Sequence, residues 1–513
     1  MQTQRIRRAS LGGSPLKLIG MMCLALIASA GRGQTPGQNS SPPGENSTPM
    51  PRERQYKETT FFALDADLKW PLVEETKKYE SISGAHLVEY VKDLIDISER
   101  YRLQGHQFWG RITGTAADAE TAQWMVAQLR RIGVTDVRTQ DLALPPQWLP
   151  KSWEVSASAG EKHLNLETAQ PMVRTPGTSS GATVDLQTVY VGLGTEADFM
   201  GRDVRGKVAL IQSIGLPGAW QHSATVFDAA RRAQEHGASA ILIAISIPGN
   251  FRTEVGAATT VPTFTIGWQD GTALRELIEK SPSGTVHLKI RADISMEPNE
   301  TTSLVWGVIP GMSDEKIVIN AHRDGYFEAA DDNATGMATA LGLAEYFANI
   351  PKEQRPRTIV IVGNPGHHNT AVGSQWIAAH HDTFLANAAL IINCEHTGQV
   401  GVDIYGLNLV ATNTSWNFDW FVSGSEKWKA TVKHDWDLFG VSRYSEPTVH
   451  PNGDIGGYYQ FAPSLQVIQA PIYYHTDKDT LQTISPNGLE SVTRSYAKII
   501  DDANKFAAAD LQK

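Results

Sequence analysis

Cysteine is nearly absent from this 513-residue chain: only Cys23 and Cys394 occur. A chain that has lost Cys23 with its N-terminal segment can form no internal disulfide, so stability must come from packing and from bound ions. Long apolar runs are missing too. Residues 18–30 are too short for a membrane span, and no later segment approaches the roughly twenty apolar residues such a span needs. An excess of positive charge is also lacking. The net charge of −10 argues against nucleic acid or an anionic membrane surface as the main partner. What is present, 41% hydrophobic and 19% charged residues, describes a folded globular protein. Its length exceeds one ordinary core and predicts two domains plus tails.

Arg5, Arg7, Arg8 and Lys17 precede the apolar stretch at 18–30, and Ala28-Ser29-Ala30 forms a small-x-small cleavage site. Residues 1–30 therefore read as a signal peptide, and the protein as secreted or periplasmic with no integral membrane segment after signal removal. Losing four basic and no acidic residues takes the charge from −10 to −14. Lipid attachment at Cys23 is disfavoured by the bulky Met21-Met22 before it. Residues 31–55, rich in Pro, Gly, Ser and Asn, read as a disordered linker.

Apolar residues at three-to-four spacing predict a helix over 85–101 (Leu87, Val88, Val91, Leu94, Ile95). A second helix carries Ala122, Met125, Val126 and Leu129 on one face and stops at Gly133. A strand follows in VTDVRTQDL. Residues 155–295 change character, with β-type runs, many glycines, a helix ending at Gly237 and a buried strand after it. From 303 onward apolar strands (316–321, 358–363, 388–394, 464–469) alternate with amphipathic segments, the α/β pattern.

Four motifs lie at or just beyond those strand ends. The first is His322-x-Asp324 followed by Asp332-Asn333-Ala334-Thr335-Gly336. The second, IVIVGNPGHHNTAVGSQWI, carries His367 and His368. The third, ALIINCEHTG, carries Glu395 and His396, and the fourth, APIYYHTDKDT, carries Tyr474, His475, Asp477 and Asp479. A strand end that delivers an imidazole and a carboxylate, with another carboxylate on the next loop, is how open α/β sheets present metal ligands.

Together, and in this order, the motifs resemble the M28 family of zinc aminopeptidases and carboxypeptidases. The middle region (GRDVRGKVALI, AARRAQEHGASAILI, VPTFTIGWQDG) resembles a protease-associated (PA) domain. The combination is similar to members in which a PA domain interrupts the peptidase fold, of the carboxypeptidase Q and glutamate carboxypeptidase kind. The resemblance implies a three-layer α/β/α zinc-peptidase fold with a mixed central sheet plus an inserted β-rich PA domain. It divides the chain into 56–154 (N-terminal part of the peptidase domain), 155–295 (PA-like) and 296–513 (M28-like catalytic). It implies a hydrolase of peptide or small amide substrates holding zinc, one or two ions, with another first-row transition metal an option. It leaves a homodimer open. By resemblance His322 binds the first zinc with Asp324 behind it orienting the ring, Asp332 bridges both ions, and His475 binds the second. Tyr474 hydrogen-bonds the developing oxyanion.

The chain departs from the family pattern where members carry Glu-Glu, base then zinc ligand: His367 and His368 stand there. Glu395 matches the family's aspartate. One reading is a catalytically inactive binding or scaffold protein on the same fold. Yet His (15), Asp plus Glu (55) and Cys (2) are a small minority of 513 residues, so random decay would seldom leave two histidines in both positions. The favoured expectation is a re-tooled metal site, with His368 a ligand and His367 the base, its pKa depressed by the neighbouring dication. A third reading is a non-peptidase amidohydrolase or cyclase-like single-metal enzyme.

Other residues carry weaker expectations. His380-His381 read as a surface pair. His396 replaces Glu395 as ligand if the strand register shifts by one residue. His106 and Trp109 lie near the cleft or pack a loop, and Asp454 supports the site without binding metal. His434, Trp436 and His450 shape a substrate-side pocket. Arg231, Arg232 and Arg252 contact an acidic substrate or are solvated. Cys394 is inert packing.

Overall fold

Runs of Ile, Val and Leu that are buried on both faces build the middle of a seven-stranded sheet. Its strands are β1 (Asp136–Ala143), β2 (Thr301–Ile309), β3 (Lys316–His322), β4 (Thr358–Asn364), β5 (Ala388–Cys394), β6 (Asn417–Val422) and β7 (Ser464–Gln469), in the order β6-β7-β5-β3-β4-β2-β1. The four inner strands run parallel, and β6, β2 and β1 pair antiparallel at the margins, which makes the sheet mixed. Parallel strands covered on both faces need unbroken apolar sequence, which is why these segments show no polar alternation. The structure, a computed structural model, describes residues 60–62, 69–213, 226–281, 285–398, 401–405, 408–412, 417–441, 443, 446–469 and 472–512. The signal peptide (1–30) and linker (31–55) expected from the sequence lie outside the described residues.

Successive side chains of each strand point to opposite faces. Ile317 and Ile319 of β3 enter a core with α1 (Gly84–Leu103), α2 (Ala116–Ile132), α3 (Gly336–Ala348), α5 (Glu426–Leu438) and α6 (Pro486–Ala503). Val318 enters the opposite core with Ile377 of α4 (Val372–Ala379) and with Ile455 and Tyr458. This is the three-layer α/β/α arrangement. The helix ends follow sequence: α2 closes on Gly133 at φ 98°, and α6 opens with Ser485 accepting from the Gly488 N–H and with Pro486 in its first turn.

A second, eight-stranded sheet orders Lys162–Asn165, Gln147–Ala159, His287–Glu297, Val184–Tyr190, Val208–Gln212, Ala240–Ala244, Thr263–Ile266 and Gln170–Pro171. Its middle strands are parallel and carry the helices Val226–Glu235 and Trp268–Lys280. The two regions meet at one informative seam. Thr253 bridges antiparallel to Thr476, and Ile472 and Tyr473 pack into the core of the second region beside Phe251 and Val255. Among the described residues no helix is long and apolar enough to cross a membrane.

The stretch assigned to substrate-side loops proves partly helical. His434 and Trp436 lie on α5, where Trp436 is fully buried in the core and His434 is exposed, so Trp436 shapes no pocket. Helical periodicity in WKATVKHDWDL was the missed signal.

Candidate metal centre

The parallel strands β3, β4, β5 and β7 all deliver their following loops to one sheet edge, where order reverses on either side of β3. Crevices of this kind are where open α/β sheets hold ligands. Asp332, on the loop after β3, lies at the middle and is almost wholly buried. Its Oδ1 is 3.3 Å from His322 Nε2, 3.4 Å from His368 Nε2 and 3.2 Å from His396 Nε2, and its Oδ2 is 3.1 Å from His475 Nε2. None of these six buried atoms has a hydrogen-bond partner among the described residues.

Three of the rings are oriented by main-chain carbonyls. His322 Nδ1 donates to the Asp324 carbonyl (3.1 Å), His396 Nδ1 to Gln469 (3.0 Å) and His475 Nδ1 to Glu254 (3.1 Å). A carbonyl only accepts, so each Nδ1 carries the proton, and in the neutral ring Nε2 presents a lone pair. Such a shell of oriented imidazoles fits a metal ion. Donor atoms of His322, Asp332 and His368 lie within 4.8 Å of one another, as do those of His322, His367 and Glu395.

The electrostatics agree with a place for a cation. Burial opposes the Asp332 charge, but the imidazoles of His368 and His396 hold its carboxyl well below the usual range. Burial lowers His396, yet Asp332, Asp331 and Glu395 outweigh it and lift the ring to about 10. Burial brings His475 down to about 4, in spite of Asp332 and helped by the charge of His368.

A second cluster adjoins the first. The His367 ring stacks on His322 at 4.0 Å between centroids, donates through Nδ1 to Asp454 Oδ1 (3.0 Å) and points Nε2 at Glu395 Oε1 (3.7 Å). Burial disfavours its charge, but Glu395, Asp454 and Asp324 raise it well above the ordinary imidazole value. Glu395 also accepts from Asn393 Nδ2 (2.8 Å), and Asp454 from Asn320 and Asn364. Gly453, at φ 70°, is needed here: a Cβ would come within 2.2 Å of Glu395 Oε2.

Several placements differ from the expectations. His396 reaches Asp332 (Nε2 3.2 Å from Oδ1), while Glu395 lies beside His367 and forms with it and His322 the second ligand-capable group. Asn393 and Glu395 share one face of β5, the face of Asp454, and the next side chain is delivered to the other side. Asp324 orients His322 through its carbonyl. Its carboxylate, 3.8 Å from that ring, accepts the backbone N–H groups of His367 (3.2 Å) and His368 (3.0 Å) and clamps their turn. Tyr474 stacks on His475 at 3.7 Å and lies beside His396.

Outside the site, His380 stacks on Trp376, His381 on Phe461 and His106 on Tyr101, while Trp109 packs against Phe327. His450 is exposed against Tyr459, and Arg231 pairs with Glu235 on an exposed helix face. Arg232 donates to the Gly194 carbonyl and Arg252 to that of Glu167. Cys394 is buried, with its thiol pushed up by burial.

Two supports escaped the sequence reading. Asp479 accepts the backbone N–H groups of Asp331 (2.8 Å) and Asp332 (3.1 Å), so the last motif fixes the first. Arg111, fully buried, donates to the carbonyls of Arg323, Glu328 and Ala329 and braces the loop between β3 and Asp332. A buried arginine after an ordinary GHQFWG loop gives no sequence signal of its target.

The family model of peptidase family M28 matches residues 305–500, and that of the PA domain matches residues 170–274. Among solved structures the chain is similar to a peptidase M28 precursor from Shewanella amazonensis SB2B, with a TM-score of 0.65 and 16% identity, over 86% of this chain and 99% of that one. It is also similar to BSAP, a zinc aminopeptidase from Bacillus subtilis (TM-score 0.59, 18% identity, 84% and 98% covered). An aminopeptidase from Aneurinibacillus sp. strain AM-1 gives 0.55 and 18%, over 84% and 96%. No curated protein matches. Likeness at such identities establishes fold, and it agrees with the two family matches: residues 305–500 match the peptidase family M28 model, and the PA-domain match lies ahead of that region.

Proposed function

We propose that the protein is an exported, metal-dependent hydrolase of peptides or small amides, with an imidazole-rich centre in place of the family's carboxylate-rich one. The observation that carries this reading is the convergence of four unpartnered Nε2 atoms on the two unpartnered oxygens of Asp332. Buried polar atoms are ordinarily satisfied, and six orphans facing one point make sense as donors to a cation. A scaffold protein would need no such alignment.

In this reading Asp332, His322, His368, His396 and His475 hold one or two zinc ions, or another nitrogen-preferring first-row ion. When bound, the metal polarises the scissile carbonyl and acidifies a water. The chain's own residues do the rest. Tyr474, stacked on His475, offers its hydroxyl to the substrate oxygen. His367, pinned through Nδ1 to Asp454, holds a proton at Nε2 against Glu395, and this pair takes up and returns the proton that moves during cleavage. Asp324 keeps His367 and His368 in step by holding both of their N–H groups. Export is supported by the basic-then-apolar pattern of residues 1–30 and their Ala-Ser-Ala site.

The test pairs elemental analysis of protein purified without added metal with hydrolysis of aminoacyl, dipeptide and N-acyl amino acid substrates, with and without a chelator. We expect bound zinc or a neighbouring transition metal and chelator-sensitive cleavage. Absence of any transition metal ends the reading.

A further inference from the structure

A cavity of about 270 Å³ has the ring of Tyr326 in its lining, and that ring also touches the candidate metal centre. That ring lies 4.9 Å from His368 and 5.3 Å from His475 between centroids. The cavity is lined by Phe108, Trp148, Val173, Arg174, Tyr326 and Asn369, so both sheet regions contribute. Asn369 follows His368 directly, and its Nδ2 donates to Gln147 Oε1 (2.8 Å).

The aromatic walls are fixed in advance. Phe108 meets Trp148 edge-on at 5.6 Å and Tyr326 at 5.9 Å, and Trp148 Nε1 donates to the Thr175 carbonyl at 2.7 Å. A preformed apolar cavity binds without the entropy loss of ordering its own walls. Its volume falls just under the roughly 300–1,000 Å³ of pockets for drug-sized ligands, which suits one residue rather than a length of peptide. Arg174 is the cationic group of the lining. It is exposed, donates to the Asn369 carbonyl (3.2 Å) and has no carboxylate partner among the described residues. Arg174 and Tyr326 line the same cavity.

We propose that this cavity receives the aromatic or large aliphatic side chain of a substrate's C-terminal residue, with Arg174 pairing with that residue's free α-carboxylate. This deepens the hydrolase reading and rests on it for the word substrate. It makes the preferred chemistry removal of an apolar C-terminal residue from an N-blocked chain. Apolar walls alone would not separate a carboxylate from its amide. A guanidinium does so, because it pairs with a planar anion and gains little from a neutral carboxamide.

The experiment is equilibrium binding by calorimetry of N-acetyl-phenylalanine and N-acetyl-phenylalaninamide to the full chain, as purified and after chelation, for the natural protein and Arg174→Gln. Chelation removes any carboxylate binding by metal. We expect the acid to bind about tenfold tighter than the amide in the chelated natural protein, the range of one charge-assisted pair at a partly exposed site. In Arg174→Gln the two should bind within about twofold, with amide affinity unchanged. Val173→Trp, which fills the cavity, should weaken both ligands. Equal binding of acid and amide, a preference that survives Arg174→Gln, or no binding of either overturns the proposal. Acid preference in a protein that cleaves nothing leaves the cavity assignment standing and sinks the hydrolase reading instead.

Discussion

The two clusters at the edge of the first sheet are opposite in composition: Asp332 is one carboxylate among four imidazoles, and His367 is one imidazole between two carboxylates. They also differ in closure. Asp454 and Glu395 are satisfied by Asn320, Asn364, Ser374 and Asn393, so the His367 cluster completes itself with the protein's own donors. Around Asp332 the donors that remain are Nε2 lone pairs, and nothing among the described residues satisfies them. Buried polar groups without partners are expensive, and they persist where something else completes them. One cluster is satisfied by the protein's own amide and hydroxyl donors, and the other leaves its ligand-capable atoms facing one another.

The largest effect should come from removing the pivot. Asp332→Ala should weaken zinc affinity by at least about a hundredfold, more than loss of any outer partner, read by competition with a chromophoric chelator. Unchanged affinity would show that the imidazoles are only a packed cluster, and the contrast between the two sites would vanish. Next comes the exchange of neighbours on β5. His396→Ala should lower zinc affinity about 10–100-fold, whereas Glu395→Gln should leave it within about threefold while reducing turnover. If Glu395→Gln strips the metal and His396→Ala does not, the assignment of the two residues to the two clusters is reversed.

Much of this edge was legible in sequence, and the part that was not has a physical reason. The apolar runs announced β3, β4, β5 and β7, and the histidines and acids beyond them announced the site. What the motifs could not give was the facing of consecutive residues. Glu395 matched an aspartate by alignment of motifs, but which of Glu395 and His396 turns to Asp332 depends on where the pleat of β5 ends. A cue was present: Asn320, Asn364, Asn393 and Gln466 each interrupt an otherwise apolar strand, and Asn393 marks the polar face that Glu395 then continues. Asp324 misled for a related reason. Its spacing after His322 is right for a side-chain partner, but the tight turn at Gly325 brings its carbonyl to the ring first. The contribution of residues 252–254 to His475 was beyond reach, since it spans more than two hundred residues of chain.

The self-completed cluster makes its own prediction, of intermediate size. Burial opposes the Asp454 charge, but His367 and Asn320 bring its pKa down from 3.8 to about 2. A carboxyl whose folded pKa is depressed stabilises the fold fully above its unfolded value. That contribution, on the order of 2 kcal/mol, is lost as pH falls from about 4 through 2. Urea unfolding of Asp454→Asn compared with the natural chain should therefore show a stability gap at pH 5 that narrows by pH 2.5. A gap that is constant with pH would mean that Asp454 acts through packing alone.

The smallest expected effect probes how the second region reaches the first cluster. His475 sits at φ 57° and is held on both sides by one residue: its carbonyl accepts the Glu254 N–H (2.7 Å), and its Nδ1 donates to the Glu254 carbonyl. The pairing continues through Arg252 and Asp477, each donating its backbone N–H to the other residue, at 3.1 Å in both directions. Asp477→Ala removes one of these bonds, worth about 1 kcal/mol, and part of that loss should pass to His475 as about a threefold to fivefold fall in zinc affinity. The Glu395–His367 pair, which has no contact with this seam, should keep its pH behaviour. If melting temperature drops while zinc affinity holds, residues 252–254 merely fasten the two regions together. If both fall, the eight-stranded region is part of the metal centre, because it supplies the carbonyl that decides which nitrogen of His475 faces Asp332.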